Sequence, residues 1–306
     1  MVIIGAGLSG LLAGLYWRDA LILERSQEPT INQKALLRFR SPAIGDFTNI
    51  PFKAVQVRKA IYSDDLLHTA ATIRTANLYT QKVLGFLSGE ERSIWNLDPC
   101  VRYIAPDDFP LMLAERLKDR ITYGCNVTHR PNDVVVSTAP MPRNLELVSI
   151  AGKMGIDRFA FADIRVVRFR LQKGEAYQTI YFPDPSTPVY RASITGNTLI
   201  VEMTTRINQD VDLNPSDMAD ISEAFGLRCE LDLIEAKTQR YGKIAPIEER
   251  ARREAIYTMS KEHRLYSLGR YAVWRNILLD DVLNDIRVIN SLREGDQYTT
   301  RMKSIS

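Results

Sequence analysis

Gly5, Gly7 and Gly10, with Glu24 closing the next apolar run, are the residues whose types and spacing speak first of chemistry. In a Gly-x-Gly-x-x-Gly turn between a strand and a helix, the first glycine makes the tight turn and the second lets the backbone approach a pyrophosphate. The third lets helix and strand pack closely. The helix N-terminus then faces the phosphate charge. A carboxylate at the end of the second strand accepts hydrogen bonds from ribose hydroxyls and repels a 2′-phosphate, so Glu24 disfavours NADP and leaves NAD or the ADP half of FAD. Thirteen residues separate Gly10 from Glu24, a short span; losing roughly one helical turn keeps the apolar face in phase. His68, His129 and His263, with Cys100, Cys125 and Cys229, form neither zinc-ligand spacings nor a Cys-x-x-Cys pair. No disulfide framework, metal site or hydrolytic triad is expected from them.

The elements that position these residues can be read from periodicity. Residues 2–4 are a β-branched run, 8–17 are helix-compatible and 20–23 are a second apolar run, which gives strand, glycine turn, helix and strand. From 25 to about 61 the chain reads as a long loop punctuated by Pro29, Pro42, Gly45 and Pro51, and loops of this length usually serve a function. Asp64 or Asp65 is expected to cap a helix running to Tyr79 and beyond, and a further helix is expected from Asp107 or Asp108 to Lys118, with Pro110 in its first turn. Residues 133–137 form a continuous apolar strand of the kind buried in a parallel sheet. Strand-like segments at 164–171, 178–182, 189–194 and 198–203 imply an antiparallel sheet, and helices are expected at 215–225, 248–262 and 281–292.

The whole chain, 306 residues with 45% hydrophobic and 25% charged, exceeds one compact domain and has the composition of a globular protein. Forty Lys and Arg against 37 Asp and Glu leave +3, too small an excess to require a polynucleotide. No run approaches the roughly 18 apolar residues of a membrane span, and the apolar opening is interrupted by Arg18 and Asp19. The expectation is a soluble, cytoplasmic protein without membrane partners.

Three further segments choose between the nucleotides. Gly124-Cys125-Asn126-Val127 followed by Asp133-Val134-Val135-Val136-Ser137-Thr138-Ala139-Pro140 resembles the middle of the FAD-binding domain in amine-oxidase-like and UDP-galactopyranose-mutase-like flavoproteins. Leu268-Gly269-Arg270-Tyr271-Ala272-Val273-Trp274-Arg275, then Asp280-Asp281-Val282, is similar to their C-terminal Gly-Arg segment. Tyr181-Phe182-Pro183-Asp184 and Val189-Tyr190-Arg191 resemble a Tyr-Phe-Pro-acid and Phe-Tyr-Arg pattern of the mutases. The resemblance runs in order from end to end and implies FAD, with cofactor contacts at Gly5, Gly7, Ser9, Gly10, Glu24, Arg25, Val127, Gly269, Arg270 and Asp281, Val127 acting through its backbone. It implies substrate contacts at Tyr181, Arg191, Lys243, Trp274 and Asn276. The chain departs from the mutases at Asn276, where they carry tyrosine, and at Gly242-Lys243-Ile244-Ala245-Pro246, where they carry Gly-Tyr-Pro-x-Pro. The Gly-Gly that follows the acid-ended strand in the family is also missing after Glu24-Arg25.

The expected fold is α/β: a Rossmann-like FAD-binding domain (1–62, 100–145 and 240–306) interleaved with an antiparallel-sheet substrate domain (146–239), plus a small helical lobe (63–99). The expected activity is that of an FAD-dependent, amine-oxidase-like oxidoreductase moving hydride from a small amine derived from an amino acid. Arg191 and Lys243 offer a bidentate and a point-charge contact for an anionic group of a substrate. The alternatives are a mutase-like, non-redox flavoenzyme acting on a nucleotide sugar, and a flavin-binding protein without turnover. Basic segments at 38–40, 58–59 and 165–173 admit a nucleic acid carrying the amine, although solvated strand faces account for the same residues. The sequence leaves the oligomeric state open.

Overall fold

A computed structural model describes residues 1–29, 38–87, 94–155, 158–205 and 212–305, with side chains as far as residue 295. The chain opens with β1 (Val2–Ile4), α1 (Leu8–Tyr16) and β2 (Leu21–Leu23). There follow β3 (Arg38–Phe39), α2 (Ala43–Thr48), β4 (Lys53–Ser63), β5 (Leu66–His68), α3 (Ile73–Leu84), β6 (Cys100–Ile104) and α4 (Phe109–Arg116). Next come β7 (Ile121–Thr122), β8 (Val135–Ser137), α5 (Met141–Leu147) and α6 (Ala151–Met154). The antiparallel run β9 (Phe161–Leu171), β10 (Ala176–Tyr181), β11 (Val189–Gly196) and β12 (Thr198–Thr204) leads into α7 (Pro215–Phe225) and β13 (Leu231–Ile244). The last elements are α8 (Glu249–His263), β14 (Leu265–Ser267) and α9 (Leu279–Ile305).

Two sheets organise these elements. The first is parallel, in the order β14-β8-β1-β2-β7, with β1 at its centre. Helices cover both faces, as a parallel sheet requires. On one side Leu8, Leu11 and Leu12 of α1 pack with Phe109 and Leu113 of α4 and with Val282 and Ile286 of α9. On the other, Met141 and Leu145 of α5 pack with Met259 of α8 and with Trp274.

The second sheet has the order β13-β9-β12-β11-β10-β4-β6-β3, with β5 paired to β4. It is antiparallel except where β10 runs parallel to β4, pairing Tyr181 with Ile61. One face packs against α7 through Ile180, Phe182 and Ile221, and the other against α3 through Tyr79, Val83 and Tyr190. Segment 1–62 therefore supplies strands to both sheets, and β13 carries the second sheet as far as Ile244.

The structure corrects two local expectations. The stretch from 25 to 61 is not one loop: residues 30–37 lie outside the described ones, and the remainder contains β3, α2 and most of β4. Asp64 and Asp65 do not cap a helix; both have positive φ (54° and 59°) in the tight connection to β5. The cap of α3 is Thr72, whose hydroxyl accepts from the Thr75 N–H while the Thr75 hydroxyl accepts from the Thr72 N–H. That reciprocal pair satisfies two helix-end donors. Among the described residues no helix is long and apolar enough to cross a membrane.

Candidate functional site

The glycine turn leaves the C-terminal end of β1, where the strand order reverses between β2 and β8, the place where open α/β sheets bind ligands. Gly5 has φ +96°, and a Cβ there would lie 2.3 Å from Thr138 Oγ1, whose hydroxyl donates to the Ile4 carbonyl at 2.9 Å. At Gly10 a Cβ would lie 1.9 Å from the Gly5 carbonyl oxygen, so α1 can rest on the turn only if this residue has no side chain. Both glycines are demanded by the protein's own packing.

Gly7 is different. Its backbone is ordinary (φ −67°, ψ 172°), it is exposed, and a Cβ there would meet none of the described residues within 4 Å. It is the N-cap of α1, and no side chain caps the helix and no acid occupies its first turn. Among the described residues nothing caps the first N–H groups of α1, and the positive end of the helix dipole lies behind them, the arrangement that receives an anionic phosphate. A shallow, solvent-open recess begins here, lined by Ala6, Gly7, Glu24, Pro110 and Tyr123 among others. Glu24 accepts from the Ala6 N–H at 2.6 Å and from the Ser26 N–H at 2.8 Å, one bond to each carboxylate oxygen, which braces the turn and leaves lone pairs toward the recess. Burial, and then the charge of Glu24, push the Tyr123 phenol pKa up.

The distant C-terminal segment meets this turn directly. Gly269 has φ +88°, and a Cβ on it would lie 2.6 Å from Ser9 Oγ and 3.1 Å from Ser9 Cβ. Next to it, Arg270 donates from Nη2 to the Gly242 carbonyl at 3.3 Å and lies over the Tyr271 ring, while its buried Nε has no acceptor among the described residues. A buried donor left unpaired costs free energy unless a ligand completes it. These features suit an elongated dinucleotide: an uncapped helix end and open glycine for the pyrophosphate, an acid beside the recess, and an unmatched cation at the other end.

The remaining expected cofactor residues make contacts of their own within the protein. Arg25 is exposed after β2, and the Val127 carbonyl accepts from Arg143 Nη2 at 3.0 Å. Asp281 accepts from the Leu278 N–H at 2.8 Å and so caps α9. Its neighbour Asp280 accepts from the Arg40 and Ser41 N–H groups, at 2.9 and 3.1 Å through Oδ1, tying β3 to the start of α9.

The expected substrate residues divide. Tyr181 and Arg191 are cross-strand partners on β10 and β11. Arg191 makes a bidentate pair with Glu202, 3% exposed on β12, through Nε and, at 2.7 Å, through Nη2. Glu202 also accepts from the Tyr190 hydroxyl at 3.1 Å, and Lys243 Nζ stands 4.0 Å from the centre of the Tyr190 ring. Burial alone would raise the Glu202 pKa, but the charge and hydrogen bonds of Arg191, then Lys243 and Tyr190, hold it below the usual carboxylate value. Burial works against the Arg191 cation, and Glu202 more than restores it. Tyr181 packs edge-on against Tyr79, and burial raises its pKa. Trp274 is 2% exposed, donates from its indole N–H to the Ala245 carbonyl at 3.0 Å and packs on Phe159 and Tyr241, which places it in the core. Asn276 is half-buried in the turn before α9. Of the basic segments, Arg165 and Arg168 pair with Asp212 and Glu235, and Lys59 donates to the Asn96 carbonyl.

Glu202 and the β3 strand position of Arg38 are not marked by any motif in the sequence. Glu202 is a lone charged residue inside the apolar run Leu-Ile-Val-Glu-Met, and that isolation is the available signal, whereas Arg38 stands in a basic segment with Arg40 and carries no such mark.

A parallel sheet bearing this glycine turn, with a large second sheet built from interleaved segments of the same chain, defines a two-sheet fold of the Rossmann type. Particular solved proteins share it. Reduced UDP-galactopyranose mutase superposes at TM-score 0.72 with 13% identity, over 96% of this chain and 93% of that one. A CLA-producing fatty acid isomerase from P. acnes does so at 0.63 with 14% identity, over 95% and 97%. An oxidoreductase from Methanosarcina mazei gives 0.53 with 10% identity, over 89% and 94%. No protein-family model and no curated protein matches the sequence.

Proposed function

We propose that the chain is an FAD-dependent oxidoreductase that oxidises a small amine. The observation that carries this reading is the contact of Gly269 with Ser9, which brings the Gly-Arg segment against the glycine turn so that one elongated ligand can be held at both ends. The first N–H groups of α1 would receive the pyrophosphate and Glu24 the ribose hydroxyls, with Arg270 supplying positive charge toward the far end. When bound, FAD would supply hydride acceptance from a substrate C–H bond. The chain's own part is to bind, orient and exclude water, with Tyr181, Arg191 and Lys243 facing the substrate and Glu202 fixing the guanidinium plane of Arg191. Chemistry of this kind asks little of a general base, in keeping with three scattered histidines.

A second reading is favoured by the fold likeness to UDP-galactopyranose mutase together with the Tyr181–Asp184 and Val189–Arg191 segments: a mutase-like reaction on a nucleotide sugar without net oxidation. Anaerobic mixing separates the two. Bleaching of the oxidised protein by a candidate amine supports the oxidoreductase, whereas turnover of a nucleotide sugar only after dithionite reduction supports the mutase-like reading and overturns the first.

A further inference from the structure

Lys82, on α3 and 8% exposed, places its ammonium where three backbone carbonyls converge. Nζ donates to the carbonyls of Phe182 at 2.8 Å, Asp184 at 2.5 Å and Val189 at 2.5 Å. An ammonium carries three N–H donors and no acceptor, so these three bonds use it in full. The carbonyls turn their negative ends toward one place, and the cation makes that arrangement favourable. They belong to the connection between β10 and β11. The strand residues on its two arms, Tyr181 and Arg191, are cross-strand partners and expected substrate contacts.

β11 is irregular where it begins. Met203 and Glu202 are consecutive on β12, whereas their partners on β11 are Val189 and Arg191, so Tyr190 is the extra residue of a bulge. In a regular strand neighbouring side chains leave on opposite faces. Here both reach the same carboxylate: the Tyr190 hydroxyl donates to Glu202 at 3.1 Å, and Arg191 donates to it through Nε and, at 2.7 Å, through Nη2. Lys82 holds the carbonyl of Val189, just before the bulge, together with that of Phe182, just after Tyr181. One turn earlier on the same face of α3, the Tyr79 ring stands edge-on to Tyr181 at 5.4 Å and lies 6.5 Å from the Tyr190 ring. The connection is also tied to α7, where the Thr187 hydroxyl donates to Asp217 at 2.6 Å and accepts from the Val189 N–H at 3.1 Å.

We propose that Lys82 is a positioning residue for the substrate site: by gathering the carbonyls of this connection it sets the bulge that aims Arg191 at Glu202. The inference rests on the proposed function, which puts Tyr181 and Arg191 against the substrate. A lysine that merely fastened α3 to the sheet could take its acceptors from any strand end, but these three lie on both arms of one connection, beside that pair. Without the ammonium the carbonyls lose a buried donor, and the connection relaxes by moving them apart toward water. That displacement starts one residue from Tyr181 and two from Arg191.

Amide hydrogen exchange, read by mass spectrometry with and without added FAD, tests the local effect. In Lys82→Met, which keeps the stem and removes the donors, amides of residues 180–193 are expected to exchange at least about ten-fold faster than in wild type, while those of β1 and β8 keep their protection. Unchanged exchange at 180–193 overturns the proposal, and so does acceleration spread evenly over both sheets, the mark of a lysine that serves only the fold. If Lys82→Met does not fold, Lys82→Gln, which retains two N–H donors, is expected to show a smaller change in the same direction. Action through Arg191 is tested with benzoate as the probe anion, titrated calorimetrically into FAD-saturated protein. Lys82→Met is expected to weaken benzoate binding about ten-fold in the wild-type background and to leave it unchanged in Arg191→Gln, a coupling that independent sites do not show. Equal losses in both backgrounds, no loss in either, or no benzoate binding by wild type each overturns it. The two readings fail separately: a protein that takes up no FAD yet shows the local change in exchange fails the proposed function alone, and one that takes up FAD with 180–193 unmoved fails this inference alone.

Discussion

Replacing Gly7 by alanine separates what the protein needs from what a ligand needs. Gly7 has a backbone conformation open to any residue, and no described residue stands within 4 Å of where a Cβ would be. Alanine is a poorer N-cap than glycine by about 0.5–1.5 kcal/mol, and the stiffer unfolded chain returns about 0.4–1 kcal/mol, so the net change in stability is about 1 kcal/mol at most. The same methyl group would occupy the space in front of the first α1 N–H groups. Displacing a pyrophosphate from one charge-assisted hydrogen bond costs about 1.5–3 kcal/mol, or about 10- to 150-fold in affinity. Gly10→Ala is the contrasting control, because its Cβ would stand 1.9 Å from a backbone oxygen that cannot move without unmaking the turn, and a loss of several kcal/mol in stability is expected. Urea unfolding of the apoprotein gives the first quantity, and quenching of FAD fluorescence during titration gives the second. If Gly7→Ala binds FAD as tightly as wild type, the glycine is not there for a phosphate and the account of the turn is wrong.

Two other outcomes follow from particular contacts. Gly269→Ala combines a left-handed φ with a close approach to Ser9, so a destabilisation of about 2–4 kcal/mol is expected in urea unfolding. Ser9→Gly in the same chain should recover the steric part and leave the backbone part; no recovery would show that the two segments do not touch. Lys82, 8% exposed on α3, donates to the Phe182, Asp184 and Val189 carbonyls, and burial lowers its pKa to about 7, partly offset by Asp184 and Asp217. A lysine depressed in the folded state contributes stability that is complete above its ordinary pKa of 10.5 and is lost as pH falls through about 7. Wild-type stability should therefore rise between pH 7 and 10 by up to about 1.4 kcal/mol per pH unit, relative to a Lys82→Met variant, when urea unfolding is compared at each pH; parallel profiles would refute this.

The parts of the fold legible in the sequence are those set by local pattern. The strand, glycine turn and helix at the start, the four strands from β9 to β12, and α7 all declare themselves by local periodicity. β4 stayed hidden because Lys53, Arg58 and Lys59 interrupt its apolar alternation and because part of its pairing is with β10, more than a hundred residues later. β13 is an edge strand with two register shifts and a mostly exposed row of side chains, so no alternation marks it. Asp64-Asp65 misled because a positive-φ turn and a helix cap draw on the same residue type. Within the candidate site, Arg191 was visible as a residue, but its partner was not. Only the register of β11 on β12 sets Glu202 opposite it.

The claim on which the account stands is tested most directly by the absorption spectrum of the purified protein, with mass identification of what it releases on denaturation. The account predicts a yellow protein that yields FAD in equimolar amount. A colourless protein that takes up no FAD on reconstitution, or one that releases a different nucleotide, would contradict it.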